Sequence, residues 1–478
     1  MTRFSGLDLG IFAVYLAASV AVGLLFTRKQ RTIADYFLAG RSMRSLVVAV
    51  SVLAALFSGI TYLGSAGEVY VHDFSFVLVA LSFFIATPVT TMVFLPYFYR
   101  RPLYTAYQYL EERFSLGVRT LGAVLFVTRV VLWLALATYA PALALQQATG
   151  LPLWFSILVT GLLTTLYTTL GGMMAVIWTD ALQFVVLFGG QLLILVTAMR
   201  RVPGGLAGIL ALGQAGGKLT VSLSLDPLVR VTLWGLFLGQ AFHNLVQLAT
   251  DQVSVQRYLT STSLRTAQRS LWLKLALTVP TLALFYFSGV VLFAFYRVHG
   301  DPLASGAISG PDQILPYFVV NELSRGLPGL LIAAIFAASM STVSAGINSL
   351  TTVSLVDIWT RLWRPRSSEK DQFRLARRLN LGYGLLVMLL AFIVSRFGTL
   401  VEGTVKMMGL TGGPLLGIFL LGMLSKRARA KGAVLGWLAG FGLLLPVCFA
   451  TRISFLWYAA IGCLMTYGVG LLASRLKI

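Results

Sequence analysis

Apolar positions along this chain are continuous rather than alternating. Runs of roughly 20 apolar residues, the length an α-helix needs to cross a ~30 Å hydrocarbon core, recur from one end to the other with short polar segments between them. They lie near residues 7–27, 45–71, 75–99, 118–148, 152–171, 175–199, 229–255, 268–296, 328–360, 379–396, 400–424, 431–450 and 454–474. A membrane barrel would alternate apolar and polar residues at every second position, so the pattern predicts helices. The expected fold is an all-α polytopic membrane protein with about 13 transmembrane helices. Its longest polar connections, 200–228 and 297–327, have room for one short external helix each. No loop is long enough for a separate soluble domain, so function is expected inside the bundle.

Composition strengthens that reading. Hydrophobic residues make up 58% of the chain and charged residues only 11%, against about 25% charged in soluble domains. Mean hydropathy is +0.85. The formal net charge of +21 would suit nucleic acid, but its distribution does not. Of the Lys and Arg residues, 26 fall in one alternate set of loops plus the C-terminus, 9 fall in the opposite set, and Arg129 and Lys406 lie within runs. Cytoplasmic loops carry this excess, so the N-terminus is expected outside and the C-terminus in the cytoplasm, in the plasma membrane. Lipid, not nucleic acid, is the expected surrounding.

Several chemistries are excluded by what the runs contain. Cys448 and Cys463 lie in late apolar runs, and His72, His243 and His299 are scattered, so neither a disulfide framework nor a metal-ligand spacing is present. The first run is too long for a signal peptide and has no small-residue cleavage site. No nucleophile–base grouping supports an enzyme, and no output module supports a receptor or solute sensor. A passive channel would give flux without accumulation.

Polar residues at membrane depth are costly and mark function by default. The second run holds Ser58-Gly59 at its middle, followed by Thr61, Gly64, Ser65 and Gly67. Unwinding there would release the carbonyls of Ala54 and Phe57 as cation ligands; close packing by small residues is the alternative. In the ninth run Ala338, Ser341 and Thr342 share a helical face. With those carbonyls they make a set of hard, uncharged oxygens suited to sodium, whereas calcium wants several carboxylates. Hydroxyls bonding back within their own helix are the plainer explanation. Asp180 lies about five residues into a run and needs a cation, a basic partner, or a wet interface. Arg129, eleven residues into its run, can hold a substrate carboxylate, pair with Asp180, or snorkel. The seventh run carries Gln240, His243, Asn244, Gln247, Asp251 and Gln252, which implies a water-filled cavity or interhelical hydrogen bonds. The second and seventh runs are the most interrupted and are five apart, the spacing of an inverted repeat with its site between them.

The segments ADYFLAGRSM (34–43), GGMMAVIWTDALQ (171–183), DQVSVQRYL (251–259), the ninth-run stretch IAAIFAASMSTVSAGINSL and GLTGGPLLGIFLLG (409–422) together resemble the sodium:solute symporter family. The resemblance covers nearly the whole chain. It implies a leucine-transporter-like five-plus-five inverted repeat in a single domain spanning 1–478: an extra N-terminal helix (7–27), first repeat (45–199), second repeat (229–424) and two C-terminal helices (431–474). It implies a sodium site at Ala54, Phe57, Ala338, Ser341 and Thr342. A second sodium site found in sialic-acid-type members matches at Asp180, Ser341 and Ser344, but its last serine is Ala345 here. The stretch YAPALALQQATG (139–150) and SGITYLG resemble the iodide, monocarboxylate and multivitamin branch. Thr61, Tyr139, Gln247 and Thr404 are then the expected solute lining, with Arg129 a candidate. Sialate carriers place their carboxylate-binding arginine where this chain has Trp133. The expected activity is sodium-coupled import of a small organic solute, such as a monocarboxylate. Sugar, sialic acid and amino acid substrates, or a proton-coupled variant using Asp180, remain alternatives. A monomer suffices for this activity.

Overall fold

Lipid offers a backbone amide no water to bond, so an apolar run must close its hydrogen bonds within itself. The computed structural model, which describes residues 5–27, 30–101, 103–150, 152–394 and 400–476, does this with helices, and no strand occurs among the described residues. The principal helices are α1 (Gly6–Leu25), α2 (Ser45–Leu56), α3 (Gly59–Val71), α4 (Phe74–Tyr99), α5 (Leu116–Thr149), α6 (Leu153–Met199), α7 (Gln240–Leu245), α8 (Gln252–Leu259), α9 (Leu264–His299), α10 (Leu327–Val353), α11 (Glu369–Val394), α12 (Leu400–Leu424), α13 (Ala430–Ala450) and α14 (Tyr458–Arg475). Among the described residues nine are long and apolar enough to cross a bilayer, or ten if the bent pair α2–α3 is one span. The two long polar connections each hold a short helix, Gly205–Ala215 and Ile314–Glu322.

Two glycine-containing breaks shape the bundle. Within α6, Gly172 has φ 57° and ψ −158°, a conformation open essentially only to glycine. The chain folds back there. Tyr167 Oη lies 3.4 Å from Gln183 Nε2, whereas sixteen residues of straight helix would separate them by about 24 Å. The other break, between α2 and α3, bends the second run by 60°.

α10 is the axis of the molecule. It is buried nearly throughout and packs against α1, α5 and α6. Small residues permit this: a Cβ on Gly346 would fall 2.5 Å from Leu134, and one on Gly329 would fall 2.2 Å from the Asp8 carbonyl. Helices in lipid gain little from the hydrophobic effect, so such close approach supplies the dispersion that holds them. α9 lies along both α2 and α3, and α12 and α13 pack on α14. The exterior is apolar, with Leu385, Leu389 and Phe449 exposed.

One boundary corrects the sequence reading. Ser263 caps α9 by accepting from Thr266 N–H (3.2 Å), so the helix begins at Leu264 rather than near 268. Lys274, one of the 26 basic residues of the richer set although it falls within the run 268–296, sits ten positions inside this helix. It is buried, as is Arg257. Both were among the 26 basic residues of the richer set; the asymmetry survives their removal.

Candidate functional site

Serine–glycine pairs are among the few places where helices kink sharply, and Ser58-Gly59 does so. The last α2 bond runs from Phe57 N–H to Leu53 O (2.9 Å), after which Phe57 (ψ 80°) and Ser58 (ψ 171°) leave helical geometry. The following carbonyls are freed from the ladder and meet α10. Ser341 Oγ donates to Ala54 O and Ala338 O, each at 2.9 Å. Thr342 Oγ1 stands 3.0 Å from Ala55 O and 3.2 Å from Ala338 O. All of these residues are buried. The structure thus brings Ala54, Ala338, Ser341 and Thr342 together and adds Ala55, which sequence reasoning missed. A terminated helix frees four carbonyls, so that residue was within reach of the argument. Phe57 closes α2, and its ring packs edge-on against Phe285 with centroids 5.6 Å apart. The oxygens are uncharged, hard and clustered, the donor set a monovalent cation such as sodium takes.

Beside this break lies a cavity of about 130 Å³, lined in part by Thr61, Trp133, His243, Asn244, Gln247 and Lys274. Asn244 Nδ2 donates to Ser82 Oγ at 2.6 Å, and the Gln247 amide lies 3.2 Å from the His243 ring nitrogen Nε2. Lys274 Nζ stands 3.6 Å from the centre of the Phe83 ring and has no hydrogen-bond partner among the described residues. Of the expected solute-lining residues, Thr61 and Gln247 are here. Tyr139 lies elsewhere, against Ala142, Ile157 and Met388. The side chain of Thr404 lies outside the described residues. Lys274 lies inside the apolar run 268–296, but counting it with the basic loop residues hides it as a site residue.

Two of the buried carboxylates, Asp180 and Asp251, are each met by an arginine inside the bundle. Arg129 Nη2 pairs with Asp251 at 2.9 Å and Nη1 lies 2.6 Å from Met408 Sδ, so its partner is not Asp180. Asp251 sits at a second helix break (ψ 122°) and its other oxygen caps α8 at Val253 N–H, 2.9 Å. Asp180 accepts from Ser51 Oγ (2.5 Å) and Arg257 Nη2 (2.9 Å); Arg257 Nε also donates to Ser51, at 2.8 Å. Of the compensations the sequence left open for Asp180, the basic partner is the one observed. Its Oδ1 is buried without a partner. Ser344 Oγ donates to Ser341 O at 3.1 Å.

Both ends of the bundle are pinned by further pairs. At one, Arg119 joins Asp357 and Glu111, each at 2.7 Å, and Arg361 also binds Glu111. Hydrogen bonds from Arg361, then from Arg119, hold the Glu111 carboxyl below its ordinary range against the opposing effect of burial. At the other end Arg230 grips Glu68 bidentately, at 2.7 and 2.9 Å. There Lys218 Nζ donates to Tyr70 O and His72 O, both at 2.8 Å.

The model of the sodium:solute symporter family matches residues 36–440. A sodium-dependent multivitamin transporter of Oryctolagus cuniculus is 38% identical over 446 residues, covering 92% of this chain and 70% of that protein. The sodium-coupled monocarboxylate transporter 1 of Homo sapiens is 35% identical over 452 residues, covering 93% and 74%. Among solved structures, the substrate-bound, outward-open state of a Na+-coupled sialic acid symporter superimposes with TM-score 0.90 at 30% identity, covering 99% of this chain and 98% of that one. Mhp1, a nucleobase-cation-symport-1 family transporter, gives TM-score 0.63 at 16% identity over 92% and 94% of the two chains, a likeness of fold alone.

Proposed function

The chain belongs to the sodium:solute symporter family, and from that premise we propose that it imports a short organic anion, a monocarboxylate in particular, across the plasma membrane. It is a multi-pass, sodium-coupled membrane symporter with a leucine-transporter-like fold, and it is not an enzyme.

The observation that carries the substrate class is Lys274. Lys274 lines the cavity and its buried Nζ finds no acceptor among the described residues; a solute carboxylate would supply one. Size points the same way: about 130 Å³ is well below the ~300–1,000 Å³ of pockets for drug-sized ligands and suits a solute of few non-hydrogen atoms. Thr61, Gln247 and Asn244 supply hydrogen bonds around it. The monocarboxylate transporters among the relatives accord with an anion. Arg129 and Asp180, each engaged by an opposite charge, act as positioning residues that hold α8 against α5, α6 and α2. Ser344 then orders Ser341. Tyr139 and Thr404 stay, by family resemblance, candidates for the solute lining.

Sodium enters as co-substrate at Ala54, Phe57, Ala338, Ser341 and Thr342, with Ala55 added. These oxygens belong to α2 and α10, so an ion among them draws the break toward the bundle axis and shapes the adjoining cavity. Binding of ion and solute is then coupled by one factor in both directions. Each charge moving through 100 mV contributes about 2.3 kcal/mol to the drive. Thirteen spans follow when the α6 fold-back, the run broken at Asp251 and α12 each add one to the ten above. This gives two inverted five-helix repeats (45–199 and 229–424), an N-terminus outside and a C-terminus in the cytoplasm, supported by the basic-residue asymmetry.

The test is uptake into proteoliposomes under an inward sodium gradient, using labelled monocarboxylates of increasing length beside sialic acid, a hexose and an amino acid. Accumulation that is strongest for the short monocarboxylates is expected. Accumulation of only the hexose or sialic acid would refute the substrate class while leaving sodium symport intact.

A further inference from the structure

An open groove of about 790 Å³ lies away from the transport path, where α10 winds on through Ser354–Trp363 and the chain turns into α11. Its walls include Trp359, Trp363, Arg364, Arg366, Arg374 and Arg378. One carboxylate also lines it, Asp371, which accepts from Ser368 Oγ at 2.7 Å and lies 3.9 Å from Arg374 Nη1. Four guanidinium groups against one carboxylate leave the groove strongly positive. This end belongs to the basic side of the bundle, but the positive-inside tendency asks only for charge. It does not ask for a cleft with an aromatic wall.

The helical register supplies the rest. Arg374, Arg378, Leu381, Leu385 and Leu389 follow one another at intervals of three and four, and so share a face of α11. That face is open: Leu381 is 47%, Leu385 55% and Leu389 65% exposed. Trp363 is 65% exposed at the mouth, with its ring 5.6 Å from that of Trp359, and tryptophan favours the level of lipid head groups. A charged cleft therefore opens directly onto an apolar stripe running into the membrane.

We infer that this groove is a binding site for an anionic phospholipid, its phosphate held by Arg374 and Arg378 with Arg364 and Arg366 opposite, and its acyl chains lying on Leu381, Leu385 and Leu389. Guanidinium forks bind phosphate oxygens in pairs. A free phosphate would make the same contacts but has no use for the leucine stripe; an acidic soluble protein could not reach it. The inference is independent of which solute is carried.

Native mass spectrometry of the full chain in detergent tests it, with phosphatidylglycerol and phosphatidylcholine added in parallel and inorganic phosphate as competitor. Phosphatidylglycerol should bind in preference. Arg374→Gln/Arg378→Gln should weaken it by about 30-fold, taking ~1 kcal/mol for each arginine near a lipid surface. The same pair changed to Lys should retain most of the binding. Equal binding of the two lipids, or unchanged phosphatidylglycerol binding in the Gln pair, overturns the site. Displacement by inorganic phosphate overturns the lipid and leaves a phosphate site. Should the Gln pair fail to fold, brominated phosphatidylglycerol provides a second measurement. It should quench tryptophan fluorescence more than brominated phosphatidylcholine does, and Trp359→Phe/Trp363→Phe should remove that excess; an unaltered excess counts against the inference.

Discussion

Replacing Lys274 with methionine separates a substrate-binding lysine from a structural one, because the two predict opposite signs. The side chain is buried, its Nζ has no hydrogen-bond partner among the described residues, and its compensation in the solute-free protein is the Phe83 ring at 3.6 Å. A cation over an aromatic face at a desolvated site is worth about 2 kcal/mol, whereas burying an unpaired ion costs several kcal/mol. Methionine is one atom shorter, keeps most of the apolar stem and can still lie against the ring, without the charge. Lys274→Met should therefore stabilise the solute-free protein, by roughly 1–3 kcal/mol on those terms, seen as a raised melting temperature in detergent. Transport should move the other way. A hydrogen bond to a charged group contributes about 1.5–3 kcal/mol, so the apparent KM for the monocarboxylate should rise roughly 10–150-fold. Lower stability together with an unchanged KM would refute the reasoning, since that is how a lysine serving only the fold behaves.

Other expectations follow from the same contacts. Arg257→Met leaves the Asp180 carboxylate buried and unpaired and should cost about 3–5 kcal/mol; adding Asp180→Asn should restore much of the loss, read as melting temperature. Gly172→Ala forces a side chain into φ 57° and to within 2.9 Å of Tyr36 O. It should lower stability by at least ~1 kcal/mol, and full wild-type stability would disprove the fold-back at that residue. Glu111 titrates below its ordinary range through Arg361 and Arg119. The stability it contributes is thus fully present above its unfolded pKa of about 4.3 and is lost as pH falls through the lower folded value. Glu111→Gln should flatten the acid limb of the stability profile, and an unchanged limb would count against the clamp.

Much of this was legible in the residues. Continuous apolar runs fixed the helices, and Ser58-Gly59 marked the break. The i, i+3, i+4 face of Ala338, Ser341 and Thr342 found the hydroxyls that meet it. These signals are local, carried by one run at a time. What escaped was pairing across the bundle. Arg129 was matched to a substrate or to Asp180, but the broken turn at Asp251 brings that carboxylate to it instead. Arg257 and Lys274 count with the basic loop residues in a charge tally, which does not show that each turns into the bundle from its own helix, α8 and α9. Ala55 was missed for a different reason: two released carbonyls were considered where the helix end frees four.

In the proposed mechanism sodium couples through the junction of α2 and α10. It is tested most directly by monocarboxylate uptake into proteoliposomes with external sodium or choline, for the wild type and for Ser341→Ala/Thr342→Ala. The account predicts accumulation in the wild type that needs sodium. In the double variant that sodium stimulation should be gone, with the protein still folded by its melting profile. Undiminished sodium-driven accumulation in the folded double variant would contradict it.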